Sequence, residues 1–358
     1  MFLFRRACGI IKVSYAGFHG FPILLLIFLI QSTACAHDIV RMGILGEQAK
    51  GHDGDTCQNG VVVGRDPSNF WLFNRRTGWD LTHPTNPSSP PIEKRVKLST
   101  TTAPITIDPS KSALIIIDMQ NYFLSSAMGR ARGEGHKAEA ELLREGIPAA
   151  RRAGIQIVYL TWGISDEELE VLPPVIFRIF GFNIDTLNYE IEDSESGLEK
   201  ESKGVGGIGE AIGNVTLSDG SIVEGGKLLM RDQWNTELHD PLKADFESSQ
   251  KLSLPDLRFH KARLSGLWGG STPCLEFLKQ KGFKSLLFAG INTDQCVLAT
   301  IQDASNQGFD TILLKDGCGT TSPDFARETA EYNCRKSWGF VSSCKTMADG
   351  VNAWEISG

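Results

Sequence analysis

The sequence predicts an α/β fold, a six-stranded parallel sheet with helices on both faces. Three observations carry that expectation. From about residue 112, short apolar runs alternate with helix-like stretches of ten or more residues. Several of those runs are continuously apolar and rich in β-branched residues, which suits strands buried on both faces. Apolar residues make up 41% and charged residues 22% of 358 positions, enough for one large core or two small ones.

The elements follow in order. "ALIIID" (113–118) is a strand, and "HKAEAELLREGIPAARRAG" (136–154) is a helix that Gly154 stops. "IQIVYLTW" (155–162) and "LRFHK" (257–261) are the second and third strands. "TPCLEFLKQKG" (272–282) is a helix, "SLLFAGI" (285–291) a strand and "DQCVLATIQDASNQG" (294–308) a helix. "DTILLKDG" (310–317) is a strand, "PDFARETAEYNCRK" (323–336) a helix and "GFVSSC" (339–344) the last strand. An insertion over 163–256 separates the second and third strands, and "VTLSDGSIVEGG" (215–226) within it reads as a hairpin around Asp219-Gly220. The same insertion holds a G-x-G-x-x-G match, Gly204 to Gly209. No strand precedes it and no acidic residue closes a second strand beyond it, so a surface loop or lid is expected there rather than a dinucleotide site.

Residues 37–104 read as an extended N-terminal arm. "THPTNPSSPPIEK" is Pro/Ser-rich, and the rings of "NFWLFNRRTGWDLTHP" are placed to pin the arm to the body. Ahead of it, Arg5, Arg6 and Lys12 precede the apolar run Phe21–Ile30, and "STACA" ends at Ala36. That is the pattern of a secretory signal peptide over residues 1–36, with an uncleaved signal-anchor as the alternative. The expected location is therefore secreted, or lumenal or extracellular if anchored, with no membrane contact after cleavage. Asn214-Val215-Thr216 is a glycosylation sequon. Net charge is −7, which gives no electrostatic footprint for nucleic acid.

Six cysteines follow Ala36: Cys57, Cys274, Cys296, Cys318, Cys334 and Cys344. No CxxC or Cys/His spacing suggests zinc, and no metal or cofactor is expected. Cys334 and Cys344 are close enough along the chain to be a candidate bridge.

Ligands of open parallel sheets bind at the carboxyl ends of the strands. Three reactive residues fall there. Asp118 closes the first strand, Lys261 closes the third, and Cys296 follows the fourth at the start of its helix. Each has an ordinary alternative: Asp118 as a turn cap, Lys261 as part of a solvated basic run, Cys296 as a small buried residue. Together they form a chemical set. A helix N-terminus and a neighbouring lysine lower a thiol's pKa, and Asp118 suits the role of proton shuttle. His260 is a rival base, but adjacent strand residues face opposite sides, so Lys261 is preferred. Tyr122, Phe123, Trp162, Trp234 and Trp268 are candidate walls for a planar substrate, with core packing as the alternative for each.

"ALIIIDMQNYF", "HKARLSGLWGGSTPCLEFL" and "AGINTDQCVLATIQDA" resemble the three signature segments of the isochorismatase-like cysteine hydrolases, in the family's order. The resemblance covers about 105–350. It implies a Rossmann-like three-layer fold over 105–358 and an Asp-Lys-Cys triad, here Asp118, Lys261 and Cys296. It also implies a cis peptide ahead of Asn292, an oxyanion held by the backbone N–H groups of Asn292 and Cys296, and homo-oligomers as an option. "NFWLFNRRTGWDLTHP" and "LLMRDQWNTELHDPL" resemble secreted fungal members. Nicotinamidases of the family carry an Asp-x-His metal site after the second strand. Here "YLTWGISDEELEVLPP" has no histidine, which argues against that activity and against a metal. True isochorismatases typically lack the cysteine, so Cys296 favours acyl chemistry on an amide, ureide or carbamoyl group of a small molecule. Vinyl-ether cleavage, with Asp118 as the acid, and a non-catalytic secreted binding or effector protein are the alternatives.

Overall fold

The computed structural model describes residues 61–181 and 207–357. The expected signal peptide, Cys57, the first part of the arm and Gly204 to Gly206 of the glycine match lie outside those residues.

The arm departs from expectation. Its described part is not an irregular strap but most of a small sheet. Strands β1 (Val61–Asp66), β2 (Asn69–Asn74), β3 (Gly78–Leu81), β4 (Val96–Leu98) and β5 (Ile105–Ile107) pair in the order β1-β2-β3-β5-β4. These strands are three to six residues long, too short for a periodic signal. The Pro/Ser-rich stretch between β3 and β4 is irregular, as are residues 99–104.

The aromatic residues do fasten this sheet to the body. Trp71 Nε1 donates to Asp310 Oδ1 at 2.7 Å, and Phe340 lies 5.6 Å from Trp71 and 6.4 Å from Trp79 between ring centroids. Asp310 Oδ2 also accepts from Ser285 Oγ at 2.7 Å and lies 2.8 Å from His83 Nε2. One buried carboxylate thus ties the small sheet to the amino ends of two central strands. Replacing Asp310 with Ala leaves the buried His83 and Ser285 and the part-buried Trp71 without this polar partner. We expect a loss of about 3–5 kcal/mol in urea denaturation, by the cost of breaking a buried network. A midpoint equal to wild type would show that the latch carries no stability.

The central sheet contains β6 (Ser112–Ile117), β7 (Gln156–Trp162), β10 (Leu257–Lys261), β11 (Ser285–Ile291), β12 (Asp310–Gly319) and β13 (Gly339–Ser342). The intervening β8 (Asn214–Thr216) and β9 (Ile222–Glu224) form the hairpin around Asp219-Gly220. All six central strands are parallel, in the order β10-β7-β6-β11-β12-β13. Every residue of β6, β7 and β11 is buried, which is why their sequences lack alternation. The chain steps outward from β6 through β7 to β10, then returns to β11 and steps the other way. Right-handed crossovers therefore put the helices between β6 and β10 on one face and those between β10 and β13 on the other, while the last helix, Cys344–Ser357, packs against Leu142–Gly146 and Ile147–Ala153 of the first set. Neighbours β6 and β11 flank the point where direction reverses, the crevice where such folds bind ligands.

Gly290 makes that crevice possible. Its φ is +114°, and a Cβ there would sit 2.1 Å from the Ile117 carbonyl oxygen. Only glycine lets β11 lie this close to β6 beside the site.

The four expected helices form with one systematic difference, and a further helix, Cys344–Ser357, starts where the last strand was expected to run on. Each of three long stretches contains a wide i→i+5 turn: Leu142–Gly146, Thr293–Val297 and Cys334–Trp338. Such turns are frequent at functional sites, and the second of them carries Cys296. Gly154 ends its helix at φ +76°. Within the insertion, helices Asp166–Glu170, Pro174–Phe180 and Asp240–Ser249 accompany the hairpin. No helix among the described residues is long and apolar enough to cross a membrane.

Candidate active site

Asp118 directly follows β6 and is fully buried. Its φ is +54°, a left-handed value that costs an aspartate roughly 1–2 kcal/mol. Main-chain bonds hold it there: Asp118 N–H donates to the Leu160 carbonyl at 3.1 Å, and Gln120 N–H donates to the Asp118 carbonyl at 2.8 Å. The strained turn aims the carboxylate across the crevice rather than along the strand.

Lys261 is the last residue of β10, two strands away, and its side chain is inaccessible to solvent. Its Nζ lies 2.9 Å from Asp118 Oδ2 and donates to the Arg263 carbonyl at 3.1 Å. It also stands 3.9 Å from the centroid of the Trp162 ring, so the indole face shares the ammonium charge. The register of β10 on β7 pairs Lys261 with Trp162, which places both at the same depth.

Cys296 is carried by the turn that opens the helix after β11 and is a free thiol. The peptide between Ile291 and Asn292 is cis, as the family resemblance implies. The first wide helical bond runs from Val297 N–H to the Asn292 carbonyl, so the Cys296 amide falls in the opening turn. The Cys296 thiol is near enough to Asp118 and Lys261 for both to act on its ionisation. A carboxylate and an ammonium far apart in sequence are thus paired, with the sulfur within their electrostatic reach.

Burial sets the electrostatics. It raises the Asp118 carboxyl above the ordinary range, against the opposing pull of Lys261 and of hydrogen bonds from Lys261, Cys296 and the Trp162 amide. It pushes the Cys296 thiol up to about 12, with Lys261 acting to lower it and Asp118 to raise it. This corrects the expectation of a thiol acidified by its helix and lysine. Desolvation outweighs both and favours the thiol over the thiolate. Alkylation of Cys296 by iodoacetamide at pH 7 is expected to be at least about 100-fold slower than that of an ordinary free cysteine, since only the thiolate reacts. Labelling as fast as that of a small-molecule thiol would contradict a neutral resting sulfur.

His260 points elsewhere. Its Nδ1 lies near Thr161 Oγ1 at 3.5 Å and against Gly163, where an added Cβ would meet it at 2.3 Å. Burial, Arg258 and Arg231 depress its pKa to about 4, so it is neutral at pH 7.

The expected aromatic wall divides. Tyr122 and Phe123 pack edge to face at 4.8 Å, and Trp162 stacks edge-on at 4.8 Å against Phe180. Phe180, which also touches Tyr122 and Phe123, was not singled out in the sequence; its only signal is the apolar spacing of "PVIFRIF" in the insertion. Among the described residues, no ring contact joins Trp234 or Trp268 to this group. Trp234 contributes its carbonyl to Asn121 Nδ2, and Trp268 is exposed beneath the Arg263 guanidinium at 4.7 Å. A cavity of about 540 Å³ lies past the end of β7, lined by Ile164, Ser165, Met230 and Arg231 among others, and none of Asp118, Lys261 and Cys296 lines it.

Asn214 is exposed at the start of β8. Cys334 and Cys344 are both buried and free, so the bridge suggested by their spacing is not formed. They lie on separate elements, the wide turn before β13 and the helix after it.

Known proteins resemble parts of this chain. Residues 217–344 match the isochorismatase domain family, a span that includes Lys261 and Cys296 but not Asp118. The chain is 27% identical over 268 residues to the ureidoacrylate amidohydrolase RutB of Caulobacter segnis, covering 74% of this chain and 94% of that protein. Among solved structures, it is similar to a cysteine hydrolase from Pseudomonas syringae pv. phaseolicola, with TM-score 0.49, 14% identity, and coverage of 75% of this chain and 99% of that one. It is also similar to the N-carbamoylsarcosine amidase of Thermoplasma acidophilum, with TM-score 0.41, 20% identity, and coverage of 65% and 96%. The domain match thus falls on the part of the chain that carries β10 to β13, in the six-stranded parallel sheet.

Proposed function

We propose that this protein hydrolyses a C–N bond in a small amide, ureide or carbamoyl compound through a thioester on Cys296. The observation that carries the reading is the buried Asp118 carboxyl, paired with the Lys261 ammonium at 2.9 Å and in electrostatic reach of the Cys296 thiol. The likeness to a ureidoacrylate amidohydrolase over most of both chains supports the substrate class.

In the proposed reaction, the Cys296 sulfur attacks the carbonyl carbon as its proton passes to Asp118. A carboxylate whose pKa is raised is a better proton acceptor, so burial of Asp118 serves this step. Backbone N–H groups of Asn292 and Cys296 take the developing oxyanion. Asp118 returns the proton to the leaving nitrogen, and the C–N bond breaks. Water, deprotonated by Asp118, then attacks the thioester carbonyl and releases the acid and the thiol. Lys261 fixes the carboxylate throughout, and no step in this route calls on a metal. Assaying release of the amine or ammonia from a panel of small ureides, carbamoyl compounds and amides tests it, with and without a chelator. Turnover of a vinyl ether but of none of these would move the assignment to ether cleavage.

We also propose that residues 1–36 direct secretion and that Asn214, exposed on β8, is glycosylated. Culture-supernatant protein whose mass is unchanged by an N-glycosidase would remove the second part, and absence from the supernatant the first.

A further inference from the structure

Gln120 lies two residues beyond Asp118 and is completely buried. Its side chain makes three hydrogen bonds, all to main chain. Oε1 accepts from Trp162 N–H at 2.9 Å, and Nε2 donates to the Trp162 carbonyl at 2.8 Å and to the Thr236 carbonyl at 2.8 Å. The Trp162 N–H is shared, for it also reaches Asp118 Oδ1, at the longer distance of 3.2 Å. Trp162 in turn lies under the Lys261 ammonium.

The third bond joins the insertion to this arrangement. Thr236 belongs to a segment that pairs with the residues following Asp118: Gln120 bridges Leu238, Asn121 N–H donates to the Glu237 carbonyl, and His239 N–H donates to the Met119 carbonyl. Arg258 Nη2 donates to the same Thr236 carbonyl at 2.7 Å. One amide side chain therefore ties the insertion to the main chain beside the reacting groups.

We propose that Gln120 is a positioning residue that fixes Trp162 under Lys261 and takes the larger share of the Trp162 amide, leaving Asp118 the stronger base. This rests on the assignment of Asp118 as proton shuttle. A carboxylate that accepts an N–H bond is stabilised in its ionised form. Competition from Gln120 for that N–H limits the stabilisation. The ionisable groups acting on Asp118 are Lys261 from β10 and Cys296 from the turn after β11, and neither is altered by changing Gln120.

Gln120→Met removes the competing acceptor and both donor bonds. The expected result is a kcat about 10- to 100-fold below wild type, KM within about threefold, and an acid limb of the pH profile moved to lower pH. Gln120→Glu keeps the acceptor and loses the donor bonds. It is expected to lose kcat similarly without the downward move of the acid limb. The second variant decides the matter if the first does not fold. Folded protein of either variant with wild-type kcat and an unmoved profile would overturn the role. Cys296→Ala, assayed alongside, separates the two hypotheses. If it is inactive while both Gln120 variants match wild type, only the positioning role falls. If it turns over normally, the thioester assignment falls.

Discussion

Cys296→Ala is expected to lower kcat by at least about 10⁴-fold on any substrate that wild type hydrolyses, while the folded structure survives. Removing a covalent nucleophile leaves only the catalysis that binding and oxyanion stabilisation provide. The structural cost is small for two reasons. Cys296 is a small buried side chain at a helix opening, and its main-chain bonds, including Thr300 Oγ1 to the Cys296 carbonyl at 2.7 Å, do not involve the sulfur. Far-ultraviolet circular dichroism and a urea midpoint close to wild type would accompany the loss. Retention of more than about a tenth of wild-type kcat would mean that the sulfur does not attack, and that the vinyl-ether route with Asp118 as acid deserves preference.

Lys261→Met is the second large effect, and it falls on stability as well as activity. Both members of the Lys261–Asp118 pair are almost inaccessible, with side chains 0% and 1% exposed. Removing one partner strands the other charge in a site where desolvation already raises the carboxyl. The expected cost is about 3–5 kcal/mol, read from urea denaturation. Part of that cost is avoided if Asp118 takes up a proton. The sign for activity follows from that. Without the ammonium, the Asp118 pKa rises further, the ionised base exists only at higher pH, and the acid limb of the profile moves upward. Asp118→Asn alone strands the ammonium in the same way. The double variant Lys261→Met with Asp118→Asn removes both charges, so its stability is expected to recover toward wild type while activity stays lost. Additive losses in the double variant would show that the two residues are not energetically coupled.

Much of this was legible in the sequence, for identifiable reasons. The strands β6, β7 and β11 declared themselves because burial on both faces forces continuous apolar runs. The joint position of Asp118, Lys261 and Cys296 followed from the rule that reactive residues gather at the carboxyl ends of parallel strands. The alternation of His260 and Lys261 correctly predicted which one faces Asp118. Other features depend on tertiary contacts that no local pattern encodes. The small sheet has strands too short to show a period, and its attachment depends on Asp310, more than two hundred residues away. The raised pKa of Cys296 arises from enclosure by the whole fold, whereas the spacing suggested only the helix and the lysine. Gln120 was visible as a letter in "DMQNYF", but its three partners come from β7 and the insertion. Trp268 was expected as one candidate wall of the pocket, as an aromatic residue able to face a planar substrate. The chain instead turns it outward under Arg263.

The central claim is that a carbonyl group becomes bonded to one sulfur during turnover. Acid quenching of wild-type enzyme in the steady state, followed by peptide mass spectrometry, reads that bond directly. The account predicts an acyl mass increment on the peptide bearing Cys296, lost on mild hydroxylamine treatment and absent from Cys296→Ala. An enzyme that turns substrate over rapidly with an unmodified Cys296 peptide, even when hydrolysis is slowed by a poor acyl substrate, would contradict it.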